Sequence, residues 1–311
     1  MNEQRALVIG EALVDVVVHA DGRREEHPGG SPANVALGLG RLGRPVDLLT
    51  WLAHDAYGGR VTSHLTSSGV RVLAGNRSAL STPVALAHLD ERGQASYEFE
   101  LTWDLPTQWE GDDVAPLVVH TGSIATTLRP GGVAVLREVM ARRPASTITY
   151  DPNARPAIMG TPRAARAIVD EFVRAADVIK ASDSDLVWLY PGQKPDDVAA
   201  RWARAGAAVV VVTHGEDGVF AVTASGLRLR IPAPSVDVVD TVGAGDSFMS
   251  GLIDGLWSAG LLGGTRRAAL RAVDEETLDA VLRRCARIAA ITVSRAGANP
   301  PRLAELEATG A

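Results

Sequence analysis

Short β-branched runs alternate with longer stretches of helical period along most of the chain. Ala6–Ile9, Pro45–Thr50, Leu117–His120, Thr147–Tyr150, Val178–Lys180 and Ala208–Thr213 are nearly continuously apolar rather than alternating. Strands read that way when both faces of their sheet are covered. Between them, Ala33–Leu42, Gly58–Ser67, Gly131–Ala141, Pro162–Ala175, Pro195–Ala205, Ala244–Ala259 and Glu275–Ser294 carry the helical period. The alternation predicts an α/β fold, a central mostly parallel sheet with helices on both faces and right-handed crossovers. Two segments break the rhythm. Val14–His27 and Pro83–Trp103 read as antiparallel strands joined by polar turns, Ala20-Asp21-Gly22 and Asp90-Glu91-Arg92-Gly93. They predict either a small accessory sheet or decoration at a sheet edge. No internal repeat or low-complexity linker divides the chain, so residues 1–311 read as a single domain with insertions near 14–27 and 83–105.

Composition narrows the class without changing this picture. The 311 residues are 46% hydrophobic and 22% charged, with 31 Gly and 17 Pro, which excludes disordered, collagen-like and coiled-coil chains. A net charge of −6 and a pI near 5.7 leave no electrostatic footprint for nucleic acid or an anionic membrane. The single cysteine, Cys285, forms no internal disulfide and no thiolate cluster, and the seven histidines lack metal-ligand spacing. The opening MNEQR does not read as a signal peptide, and no run approaches the ~18 apolar residues of a membrane span. The expectation is a soluble cytoplasmic protein.

The strongest local signal is Asp240-Thr241-Val242-Gly243-Ala244-Gly245-Asp246-Ser247-Phe248, which runs directly into an apolar helix. Glycines at a helix mouth let backbone N–H groups point into open space, and the helix N-terminus adds partial positive charge, which suits an anion. A carboxylate on that first turn repels the anion. Asp246 therefore makes sense as a base for a hydroxyl that attacks phosphorus. The plainer reading makes Asp246 a helix cap and the glycines a tight turn. The run is neither a Walker loop nor a GxGxxG after a first strand.

A second element, Gly29-Gly30-Ser31-Pro32-Ala33-Asn34, also opens a helix, with Ser31 expected as N-cap and Pro32 in the first helical position. Asn34 falls in the first turn, where its amide can hydrogen-bond a sugar hydroxyl. Upstream, Glu11 and Asp15 interrupt an apolar stretch. A buried unpaired carboxylate is costly, so Asp15 is expected at an open strand end.

Together, GGSPANVALGLGRLG (29–43) and DTVGAGDSF (240–248) resemble the two signatures of the ribokinase-like sugar kinases, also called the phosphofructokinase-B family. The likeness spans the chain in order, through Asp55–Gly58, Thr213–Gly218 and Gly297–Pro301. Gly10–Asp15, His120–Ser123 and Asp151–Arg155 are most similar to bacterial fructokinases. The resemblance implies a ribokinase-like fold whose two hairpin segments form a small β-sheet lid, with ATP and Mg²⁺ as co-substrate and cofactor. It implies Asp246 as general base, and Gly243, Ala244 and Gly245 as donors to the transferring phosphoryl. Asp15, Gly30 and Asn34 would hold the sugar, and Arg155 either approaches it or lies at the surface. Thr213, Gly215 and Gly218 match the strand and turn bordering the nucleotide phosphates, with Lys180 a candidate to meet them. Where the family commonly has Asn-x-x-Glu, this chain has Ser182 and Asp185, oxygen donors of shorter reach; the alternative is a charged helix start. Asp240 is similar to the residue that helps hold a monovalent cation such as K⁺ in potassium-activated members. Exposed lid edges are compatible with a homodimer.

The resemblance points to fructose as acceptor. Ribose, 2-keto-3-deoxygluconate and nucleosides or aminoimidazole riboside are rivals, the last kept open by Phe99 and Trp103. A non-catalytic sugar-binding protein has no need for Asp246. A nicotinamide dehydrogenase lacks its GxGxxG after the first strand.

Overall fold

The structure, a computed structural model, describes residues 4–19, 21–74, 79–89, 95–106, 109 and 114–308, with the backbone alone described for 89 and 95–100. Strand β1 (Ala6–Ile9) enters the middle of a large sheet, and the chain then leaves it. β2 (Leu13–Val18) and β3 (Arg24–Gly29) form an antiparallel hairpin. Helix α1 (Ser31–Arg41) returns the chain to β4 (Val46–Leu49), parallel to β1, and α2 (Ala56–Thr66) leads to β5 (Val70–Leu73). A second hairpin, β6 (Val84–Leu89) and β7 (Ala95–Glu100), joins the first. β6 runs parallel to β2, with Val14 opposite Val84, which makes a four-stranded sheet in the order β3-β2-β6-β7. The two segments that broke the helical rhythm thus pair with each other. Residues 90–93 and Ala20 of their expected turns lie outside the described residues.

The rest of the chain returns to the large sheet. β8 (Val118–Gly122), β9 (Thr147–Asp151), β10 (Val178–Ser182) and β11 (Val209–Thr213) alternate with α3 (Gly131–Arg142), α4 (Pro156–Met159), α5 (Pro162–Ala175), α6 (Asp183–Leu189) and α7 (Pro195–Ala205). β12 (Val219–Thr223) and β13 (Arg228–Ile231) close one edge antiparallel, before α8 (Ala244–Ser258), α9 (Arg267–Arg271), α10 (Glu275–Val293) and α11 (Leu303–Ala308). The order is β13-β12-β11-β10-β9-β8-β1-β4-β5, nine strands of which the seven from β11 to β5 are parallel. Alternate strand residues feed two cores. Val8, Val118, Val178 and Val211 pack with α1, α8 and α10, whereas Leu7, Ile9, Val119, Tyr150 and Val212 pack with α3, α5 and α7. Burial on both faces is what the continuous apolar runs encoded.

β1 sits between β4, which follows it after the first hairpin, and β8, which arrives after the second. Chain direction across the sheet reverses there. Loops leaving the carboxyl ends of β1 and β8 therefore diverge and open a crevice, the usual ligand position in such sheets.

Candidate active site

The crevice at this switch point opens into a cavity of about 500 Å³ lined from both sheets. Glu11 follows β1, Ser123 and Ile124 follow β8, and Asn153 and Arg155 follow β9. Leu13, Asp15 and Ala85 come from the small sheet, and Gly243, Gly245 and Asp246 come from the mouth of α8. Gly30 and Asn34 complete the wall. The two signatures, some 200 residues apart, thus face each other.

Asp246 is the hinge of that meeting. Gly243 caps α8 at φ 75°, a left-handed conformation that favours glycine, and its missing side chain leaves room for Ala298, 2.6 Å from where a Cβ would stand. The first helical bond runs from the Ser247 N–H to the Gly243 carbonyl, so the N–H groups of Gly245 and Asp246 precede the helical ladder. Asp246 is the third residue of the helix, not its cap. Its Oδ1 accepts a hydrogen bond from Ser31 Oγ at 2.7 Å and its Oδ2 one from Asn34 Nδ2 at 2.8 Å. Asn153 Nδ2 stands 3.4 Å from Oδ1. Ser31 was expected to cap α1. Gly30 occupies that position instead, at φ 101° with no side-chain cap bond, and the Ser31 hydroxyl goes to Asp246. A Cβ on Gly30 would stand 2.6 Å from the Glu11 carbonyl oxygen, so the small residue also lets the two sheets approach.

Asp15 departs from its expected place. β1 ends at Ile9, and Asp15 lies inside β2, opposite His27, half-buried with its carboxylate under Gly29. Burial pushes its carboxyl up to about 6, against the pull of Arg155 and His27 and with that of Asp246. Glu11, fully buried, is pushed by burial to about 7 although the Ala125 N–H donates to its Oε2 at 3.1 Å. Arg155 is exposed and also lines the cavity. One guanidinium nitrogen donates to Asn153 Oδ1 at 2.7 Å.

Sequence reasoning passed over Asn153 and Ser123. Both hold positive φ, 35° and 54°, as non-glycine residues, and both line the cavity. Backbone strain of this kind gathers at functional sites. The available signals were the His120–Ser123 and Asp151–Arg155 runs, which carry the likeness to fructokinases but give Ser123 and Asn153 no role of their own.

The expected nucleotide residues divide. Thr213, Gly215 and Gly218 sit at the end of β11 and in the turn into β12, where the His214 N–H donates to the Gly218 carbonyl at 2.8 Å. They are outside the cavity lining. Lys180 does not face the cavity either; its ammonium is buried and paired with Asp151. Ser182 and Asp185 form a capping box on α6. The Asp185 N–H donates to Ser182 Oγ at 3.1 Å, and Asp185 Oδ2 accepts from the Ser182 N–H at 2.9 Å. Asp185 Oδ1 accepts from the Ala154 N–H at 2.7 Å. Both oxygens thus accept backbone donors, which anchors the carboxylate to the start of α6 and to the loop after β9. Among the described residues no group of three His, Cys, Asp or Glu could hold a metal ion. Replacing Asp185 by Ala is expected to lower Tm, through unpaired Ser182 and Ala154 N–H groups together costing about 1–3 kcal/mol. The Mg²⁺ concentration for half-maximal rate should stay unchanged; a severalfold rise in the Mg²⁺ titration would restore a metal role.

Asp240 is likewise engaged by backbone. It accepts from the Val242 N–H at 3.0 Å and the Gly297 N–H at 2.8 Å, which ties the turn before α8 to the 297–301 segment. Trp103 is buried in the core, where its indole N–H donates to the Ala125 carbonyl at 2.9 Å. The Phe99 side chain lies outside the described residues. None of the described cavity residues is aromatic.

Comparison with known proteins agrees with this geometry. Residues 3–305 match the profile of the pfkB family carbohydrate kinase. A fructokinase of Rhizobium leguminosarum bv. trifolii is 33% identical over 286 residues, covering 88% of this chain and 85% of its own. The fold is that of the ATP-bound fructokinase from Xylella fastidiosa, with a TM-score of 0.84 at 22% identity over 98% of this chain and 97% of that one. It is shared by the aminoimidazole riboside kinase of Salmonella enterica, solved with aminoimidazole riboside and an ATP analogue, at a TM-score of 0.77 and 24% identity over 98% and 99% of the chains. By the extent of the family match and the ordered meeting of its two signatures, this chain belongs to the pfkB family of carbohydrate kinases.

Proposed function

We propose that this carbohydrate kinase transfers the γ-phosphoryl of ATP to a hydroxyl of fructose, with Asp246 as the general base. The observation that carries the reading is the fixed carboxylate of Asp246, aimed into a cavity whose opposite wall bears Asp15. Ser31 and Asn34 hold the Asp246 oxygens in place, so the base needs no reorganisation when a hydroxyl arrives. The hydroxyl oxygen attacks phosphorus, and its proton passes to an Asp246 oxygen. The N–H groups of the Gly243–Gly245 turn face the charge that gathers on the transferring phosphoryl. Asp15, Asn34, Gly30 and Arg155 surround the remaining hydroxyls. Mg²⁺ bound with the nucleotide phosphates would supply neutralisation of their charge. The small sheet acts as the lid, which keeps water from competing as acceptor. A wall without described aromatic residues suits a sugar better than a stacked base.

A coupled ADP-release assay against fructose, ribose, tagatose, 2-keto-3-deoxygluconate and nucleosides tests the substrate. Fructose should give the highest kcat/KM. A tenfold preference for another acceptor overturns fructose and leaves the kinase.

The raised Asp15 carboxyl gives a pH signature. Above about 6 it is ionised and accepts charge-assisted bonds from sugar hydroxyls; as pH falls through 6 it takes up a proton and loses them. Fructose KM is expected to rise between pH 7 and pH 5, approaching roughly tenfold per unit at the acid end, and to flatten in Asp15→Asn. A wild-type KM constant over that interval rules this role out.

A further inference from the structure

Beneath the turn that opens α8 lies an ion pair that the reading above leaves unused. Lys180 Nζ stands 2.6 Å from Asp151 Oδ2, with the two side chains 3% and 0% exposed. They project from neighbouring strands, β10 and β9, onto the face packed by α8. His120 and Thr149 share that face, and their side chains meet, Nδ1 to Oγ1 at 3.0 Å. Burial, with Lys180 nearby, lowers the His120 pKa to about 3, so the imidazole is neutral and the ammonium is the cation of this group.

Two contacts join the pair to the site. A Cβ on Gly245 would stand 2.8 Å from Lys180 Nζ, so the ammonium reaches the underside of the anion-binding turn. Asp151 Oδ1 accepts the Asn153 N–H at 3.1 Å, and Asn153 approaches Asp246. Stability alone is a poor account of such a pair, because desolvating two charges cancels much of their attraction, and apolar residues of similar size commonly serve as well. Burial opposes the Lys180 charge, but the carboxylates of Asp151, Asp185 and Asp246 more than offset it and hold the group above its ordinary value.

We propose that Lys180 is a positioning residue for phosphoryl transfer: its buried ammonium, held by Asp151, backs the Gly243–Gly245 turn and favours the negative charge that gathers over that turn as the phosphoryl moves. This rests on the kinase reading above. The cation acts through the turn and not by touching the nucleotide, so its effect falls on kcat and spares sugar KM.

The test removes both charges at nearly constant volume, in Lys180→Met with Asp151→Asn, alongside the wild-type chain in the same ADP-release assay. With the pair neutralised together no lone charge stays buried, so Tm should remain within a few degrees. Sugar KM should stay within about threefold, while kcat falls roughly ten- to a hundredfold, a smaller loss than removing a direct oxyanion donor. A folded double variant with kcat within threefold of wild type overturns the proposal, as does a loss confined to KM. Lys180→Gln with Asp151→Asn, which keeps a hydrogen bond between the two positions, serves if the first variant does not fold, with the same expected split. If neither folds, the pair is holding the sheet together and the proposal is overturned. A wild-type chain that phosphorylates no acceptor strikes the kinase reading itself, and this proposal with it.

Discussion

Replacing Asp246 by Asn is expected to lower kcat by at least 10²–10⁴-fold, the range general-base catalysis supplies, with little change in fold or ATP affinity. The local geometry makes the substitution a clean one. An Asn oxygen can still accept from Asn34 Nδ2, and an Asn amide can donate to Ser31 Oγ once that hydroxyl turns around. What disappears is the capacity to take a proton. Steady-state kinetics with a Tm measurement check this, and retention of more than about a tenth of wild-type kcat removes Asp246 from the role.

Asp15→Ala addresses the other wall of the cavity. Each hydroxyl-to-carboxylate bond is worth about 1.5–3 kcal/mol, and 1.4 kcal/mol is tenfold in affinity. Fructose KM should rise ten- to a hundredfold while ATP KM holds, because Asp15 lies on the small sheet and not on β11 or the turn into β12, where the nucleotide phosphates are expected. Asn34→Ala should shift KM in the same direction, and also kcat, since Asn34 steadies the base as well as lining the cavity. Normal sugar KM in both variants would place the acceptor elsewhere and take the fructose assignment with it.

Much of this arrangement was legible in the sequence. The covered parallel strands announced themselves by continuous apolar runs, and α5 and α7 begin and end where proline starts and helical period stops. The two hairpins were readable as strands, but their union was not, because a parallel pairing such as β2 with β6 leaves no local turn signal. β5 (VRVL) and β13 (RLRI) escape because arginines interrupt their short apolar patterns. In the site, Asp246 and the glycines stood out because a carboxylate beside an anion-binding turn is chemically odd. Ser31 looked like a cap, since the capping preference of serine is local and its real partner is 215 residues away. Lys180 read as a candidate for the nucleotide phosphates for the same reason: nothing in its own neighbourhood reveals that Asp151 waits on the next strand.

The pairing of β1 with β8 has a consequence for how the molecule is made. The crevice exists only where these two strands lie side by side, and more than a hundred residues separate Ile9 from Thr121, its partner across the sheet. Asp246 reaches Ser31 and Asn34 over spans of 215 and 212 residues. Contacts of such sequence separation form slowly, because the entropy of closing long loops is lost before any packing rewards it. During synthesis, the helix that carries Asp246 leaves the ribosome long after α1 has emerged, so an incomplete chain has half a site and no base. Chemistry arrives last, as the signature of a finished fold.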